Sequence, residues 1–148
     1  MPSRHVLACA LGAALLLLAP RAWADKVAVL PFTAPTSLPK PELDQARSWT
    51  QQAVAARGHT APTESELLTA EMAVKDGVAD TSEECTAAGR ASGSDWTLMG
   101  RVERMDFPAQ TAPDGVEEAG YTAYRLELEA CRVDSGRVES LTRDVDPE

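Results

Sequence analysis

Four consecutive apolar residues, Val27-Ala28-Val29-Leu30, open the patterned part of the chain. An unbroken run of that length predicts a strand covered on both faces rather than one lying half in water. Pro31 ends the strand's donor pattern, and the proline-rich stretch that follows reads as a connection whose last proline, Pro41, suits the first turn of a helix. The spacing of Leu43, Ala46, Thr50, Ala53 and Val54 predicts a helix over 41–57 with a thin buried stripe, opposite Glu42, Gln45, Gln52 and Arg57, and Gly58 stops it. Trp49 lies at the edge of that stripe, where packing is its expected role.

After the glycine, His59-Thr60-Ala61 reads as a short second strand leading through Pro62 into another helix. Thr63 and Glu66 stand at capping-box spacing, Leu67, Leu68, Ala70, Met72 and Val74 follow, and Lys75-Asp76-Gly77 closes the element. Thr81 and Glu84 repeat the box. The helix after them carries Cys85, Ala88, Gly89 and Ser92, small residues that allow close approach to a neighbour, and ends at Gly93.

In the next segment Trp96, Leu98, Gly100 and Val102 alternate with Thr97, Met99, Arg101 and Glu103, the period of a strand, and Gly100 marks a bulge or a close contact. The stretch 107–120, with Pro108, Pro113 and Gly115, reads as a long surface loop. Tyr124, Leu126, Leu128 and Ala130 then alternate with Arg125, Glu127 and Glu129, and Asp134-Ser135-Gly136 turns the chain into a last strand around 138–145. The whole predicts an α/β fold, an α+β arrangement of helices packed on a mixed sheet of about four to five strands that ends in an antiparallel hairpin. Asp146-Pro147-Glu148 has the form of a helix start, so the single domain, 25–148, is open to continuation beyond its last residue.

The first residues follow a different rule. Arg4 and His5 precede an apolar stretch from Val6 to Ala19, then Pro20 and the small-x-small triplet Ala22-Trp23-Ala24, the order of a secretory signal cleaved between Ala24 and Asp25. At about 14 residues the apolar stretch is short of the roughly 18 to 20 that span hydrocarbon. Cys9 stands in front of this stretch, whereas a lipoprotein leader places its cysteine behind one. The expectation is a signal peptide at 1–24 and export to the periplasm or beyond, with no stable membrane span after cleavage.

Removing that leader changes both the charge and the cysteine count. Two of the 14 basic residues and none of the 23 acidic ones leave with it, so 12 basic face 23 acidic residues and the formal charge is about −11. Such a chain repels nucleic acid. Cys85 and Cys131 remain as an even pair, and in an oxidising compartment they are expected to form one disulfide. The rival readings, a redox pair or a metal site, lack CxxC spacing, and His59 is far away in sequence. Cys131 falls on the opposite parity to the apolar set of its strand, so the bond would draw the helix at Cys85 to the strand's second face or to the hairpin end.

No nucleophile elbow, HExxH or phosphate loop occurs in the sequence. The adjacent pairs Glu83-Glu84 and Glu117-Glu118 read as solvated, whereas acid–base work needs two carboxylates in different environments. The acidic loop from Asp114 to Glu118 lacks calcium-loop spacing. The residues therefore name no catalytic, cofactor-binding or metal-ligating set. A small-ligand or metal-binding module is the alternative to a protein-interaction role, and an enzyme of unrecognised class the one after it.

An exported chain that opens with the strand Val27 to Phe32 and carries Gly93 to Val102 as a strand after a small-residue helix resembles the TolB amino-terminal-like superfamily. That group includes TolB amino-terminal domains, LpoB-type activators of penicillin-binding proteins and CsgG-type secretion lipoproteins. The similarity covers about two thirds of the chain after the leader and rests on packing motifs. It implies a non-catalytic accessory module of the bacterial cell envelope that presents its sheet and helices to an envelope protein partner.

Overall fold

The computed structural model describes residues 24–35 and 37–145. Residues 1–23 of the predicted leader, Ala22 among them, and the helix start at 146–148 lie outside the described residues. The elements are β1 (Val27–Val29), α1 (Lys40–Ala56), α2 (Glu64–Met72), α3 (Ser82–Ala91), β2 (Trp96–Phe107), β3 (Gln110–Thr111), β4 (Glu117–Glu118), β5 (Tyr121–Arg132) and β6 (Val138–Val145). Four strands form one sheet in the order β1-β2-β5-β6; β1 runs parallel to β2, and the other neighbours are antiparallel. Strands β3 and β4 make a separate two-stranded antiparallel sheet. The α+β expectation holds.

Alternation along β2 and β5 divides the core between the two faces of the sheet. One face gathers Val27, Val29, Phe32, Trp96, Leu98, Leu126, Leu128 and Ala130 against Ala46 and Val54 of α1, with Leu43, Trp49 and Ala53 packed at its margin. Gly100 belongs here as a close contact in a continuous register: a Cβ on it would stand 2.5 Å from the Phe32 ring. The other face gathers Leu30, Met99 and Cys131 against Ala70, Val74, Ala79, Cys85 and Ala88 around α2 and α3. Strand β1 thus has apolar cover on both sides, as its unbroken run predicts.

Cys85 and Cys131 are joined across this second face, with Cα atoms 6.2 Å apart and both residues wholly buried. The small residues of α3 let it descend far enough to do so. A Cβ on Gly89 would overlap Thr97 Oγ1 and Val133 Cγ2, so the helix lies directly on these two side chains with no room for a methyl group.

Three local expectations are revised. The strand at 59–61 is only a single parallel bridge between Thr60 and Lys26. At Thr63 the capping box is complete, whereas at Thr81 only half of it forms: Thr81 Oγ1 accepts the Glu84 N–H, but the Glu84 carboxylate turns to the N–H of Asp80. The stretch 107–120 is more ordered than a plain loop, because β2 and β5 run on to Phe107 and Tyr121 as an arm and β3 and β4 pair beyond it. Gly120 permits this, since a Cβ there would press on the backbone of Phe107 and Ala109 at 2.8 Å.

Candidate functional site

Helices α2 and α3 are nine and ten residues long, too short to cover 12-residue strands from end to end. Beyond Met99 the residues facing their side of the sheet turn polar, and that half stays open. A groove of about 750 Å³ results. Its floor is Met99 and Arg101 of β2, Glu127 and Glu129 of β5, and Ser140 and Thr142 of β6; its walls are 33–35 after β1 and Asp76, Val78, Ala79 and Asp80 between α2 and α3.

Four carboxylates and one guanidinium face this groove, so its field is negative. Arg101 Nε lies 3.9 Å from Glu127 Oε2, a loose pair with both side chains largely in water. Farther along the same face, Arg125 Nε donates to Asp144 Oδ1 at 2.7 Å and holds the Asp144 carboxyl below its ordinary range. At the wall, the hydrogen bond shared with Glu84 raises Asp80, while the N–H of Asp80 lowers Glu84.

The arm ends in a second exposed feature. Phe107 and Tyr121 stack with ring centroids 4.7 Å apart, and Val116 is exposed in the turn between β3 and β4. Asp106 takes bonds from Thr122 Oγ1 at 2.6 Å and Arg104 Nε at 3.0 Å, which lower its carboxyl. These bonds brace the arm's base across its two strands.

The residues singled out in the sequence fall into separate places. Cys85 and Cys131 meet in the core, away from solvent. Ala24 is exposed, and Asp25 beside it is anchored: its Oδ2 accepts from Trp96 Nε1 at 3.2 Å and its carbonyl from the Thr60 N–H at 3.0 Å. His59 is half-buried, and among the described residues its Nδ1 has no hydrogen-bond partner and no serine or carboxylate is bonded to it. Asp114 accepts the N–H of Val116, and Glu117 and Glu118 are exposed on β4. Among the described residues no group of three or more His, Cys, Asp or Glu is placed to hold a metal ion, and no helix is long and apolar enough to cross a membrane.

Two structural contacts escape sequence reasoning. Arg47 donates through Nε to the carbonyl of Val29 at 2.9 Å and through a terminal nitrogen to Glu71 at 3.0 Å, tying α1 to β1 and α2. Its place beside Ala46 on the buried stripe was the available signal. The Arg132 guanidinium lies 5.5 Å from the centroid of the Trp96 ring, a cation–π contact that cross-strand pairing makes possible and sequence distance conceals.

No protein-family model matches the chain, and no curated protein matches its sequence. Solved structures do share its fold. The LpoB C-terminal domain from Salmonella enterica aligns at TM-score 0.63 and 14% identity, covering 96% of this chain and 96% of that one. The Escherichia coli LpoB C-terminal domain aligns at TM-score 0.61 and 15% identity over 95% of this chain and 98% of that one. Lipoprotein GNA1162 from Neisseria meningitidis aligns at TM-score 0.52 and 11% identity, over 82% and 80%. The LpoB-type branch of the resemblance is matched in fold; the TolB and CsgG branches gain no specific support.

Proposed function

We propose that this chain is an exported, non-catalytic accessory module of the bacterial cell envelope, which binds another envelope protein through the open acidic groove beside α2 and α3. The observation that carries the proposal is the end-to-end match of the fold to LpoB C-terminal domains, a type the sequence resemblance associates with activation of penicillin-binding proteins. The groove adds a place for binding. Its floor carries charge on β2 and β5 and hydroxyl groups on β6, and its net charge is negative, which suits a polypeptide segment carrying lysine or arginine.

On the same reading the leader is removed after Ala24, so the working protein begins at Asp25, a residue already fixed by Trp96 and Thr60. Cleavage there would free the anchored end without disturbing β1.

A photo-crosslinking amino acid at Thr142, compared with one at Gln52 on the opposite helix, tests the proposal in envelope fractions of the source. A saturable adduct to one envelope protein from position 142 alone is expected, and Arg101→Glu, which makes the groove more acidic, should strengthen it. Equal labelling from both positions would remove the groove from the reading. Substrate turnover by the purified protein in a hydrolase screen would remove the non-catalytic role.

A further inference from the structure

Strand β6 is a free edge of the four-stranded sheet. The opposite edge is occupied, because the Val27 N–H donates to the Thr60 carbonyl and Arg47 Nε to the Val29 carbonyl. Beyond β6 no backbone partner lies among the described residues. Edge strands are commonly blunted by proline, by bulges, by shortness or by charged side chains. Strand β6 is eight residues long, contains no proline and pairs with β5 in continuous register, and it carries Glu139, Arg143 and Asp144, so a partner strand must answer those charges.

Hydrogen-bond direction alternates along an antiparallel ladder, and its phase here is fixed at the turn. Gly136, at φ 68°, donates to the Arg132 carbonyl, while the Arg132 N–H donates to the Arg137 carbonyl, the pattern of a glycine bulge. Odd-numbered residues of β6 therefore face β5. The same phase reappears two strands away, where the carbonyls of Leu98 and Gly100 turn to the β1 side. Val138, Ser140, Thr142 and Asp144 consequently direct their N–H and C=O groups outwards.

We propose that a second copy of this chain pairs with that edge, β6 against β6 in antiparallel sense about a two-fold axis at Leu141, to make one continuous eight-stranded sheet. An isologous contact needs a self-complementary strand, and this one is self-complementary in a single register. With Leu141 on the axis, Glu139 lies opposite Arg143 of the second copy twice over, Leu141 meets its own mate, and the outward-facing Ser140 and Thr142 lie opposite each other. With Ser140 on the axis, Arg137 would oppose Arg143, two like charges. With Thr142 on the axis, Arg143 would oppose Leu141 and Glu139 would oppose Val145. The contact at Leu141 also places Glu139 and Arg143 in the closely spaced, non-hydrogen-bonded class of pair, where side chains interact best.

The side chains are ready for it. Glu139 is largely covered and already accepts from Arg137 at 2.8 Å, and Arg143 is exposed, its guanidinium unengaged among the described residues. The strong net negative charge of the chain opposes self-association, so the attraction must be local to the strand. This inference goes beyond the accessory role proposed above and can fail without it.

Sedimentation velocity on the purified, processed protein tests it with two charge reversals. Wild type is expected to associate reversibly to a dimer. Glu139→Arg sets two guanidinium groups against each other across the axis, and Arg143→Glu sets two carboxylates against each other, so each variant alone should be monomeric. Mixed in equal amounts they should form a heterodimer, since both pairs between positions 139 and 143 are then opposite in charge. Wild type that stays monomeric up to its solubility limit overturns the proposal. Dimers that survive either reversal, or a mixture that stays monomeric while both variants give folded far-ultraviolet spectra, overturn it as well. Should Glu139→Arg unfold, Arg143→Glu decides alone, because Arg143 lies outside the core and its reversal must abolish the dimer.

Discussion

Gly89 is the residue on which the contact between α3 and β2 depends. Its helical conformation would accept alanine readily, and alanine has the better intrinsic helix propensity by about 1 kcal/mol. A methyl group there, however, meets Thr97 Oγ1 and Val133 Cγ2 inside contact distance, and Thr97 is wholly buried. Overpacking of this kind costs about 1 to 3 kcal/mol, so Gly89→Ala should destabilise despite the propensity gain, read as a lower midpoint in urea. A stabilised variant would mean that the helix can lift off the strand. The sequence made the small residues of α3 legible as a close approach. It did not disclose what they approach, because Thr97 looks like an ordinary polar position in an alternating strand while its hydroxyl is buried without a partner.

The helices show how far local rules reach at the scale of the element. Thr63 and Glu66 form both halves of their box, with the Thr63 N–H donating to Glu66 at 2.7 Å, and Glu66 also accepts from Lys26 Nζ at 2.7 Å. Thr63→Ala should cost about 1 kcal/mol, measured by denaturant midpoint. Glu66→Ala should cost more than Glu84→Ala, because Glu66 also ties α2 to the residue that precedes β1. The caps could be read in the sequence because they are settled within four residues. The arm could not, because its pairing partners, such as Arg104 with Tyr124, are distant in sequence and most of its positions are polar or exposed, so Pro108 and Pro113 read as breaks. Pro108 in fact lies just past Phe107, where β2 ends, and Pro113 lies in the turn between β3 and β4. The groove was equally hidden: its carboxylates come from separate parts of the chain, and only the fold brings Asp80 beside the β5 acids.

For the whole molecule, acid should loosen the fold. Glu66, Asp106, Asp134 and Asp144 all have carboxyls lowered by hydrogen bonds, chiefly from Lys26, Thr122, Arg132 and Arg125 respectively. A carboxyl lowered in the folded state stabilises above its unfolded value, near pH 4, and that contribution is lost as pH falls through the folded value. Asp80, raised by Glu84, acts in the opposite sense, favouring the fold at low pH and losing that contribution as pH rises. Glu84, lowered by the N–H of Asp80, adds a fifth group on the first side, and five outweigh one, so thermal midpoints should fall below about pH 4, and fall less in high salt because all of these pairs lie near water. The bond between Cys85 and Cys131 acts at every pH. It closes a loop of 46 residues and joins α3 to β5 across the buried second face. Constraint of the unfolded chain by a loop of that length is worth roughly 4 kcal/mol, a large share of the roughly 5 to 15 kcal/mol that holds a typical domain together. Because both sulfurs are buried, mild reductant should leave the native protein oxidised, and reduction should follow unfolding. Replacing both cysteines with alanine should therefore lower the unfolding free energy by several kcal/mol while leaving the far-ultraviolet spectrum of the folded state unchanged. A loss below about 1 kcal/mol would show that packing on the second face holds α3 in place without the bond.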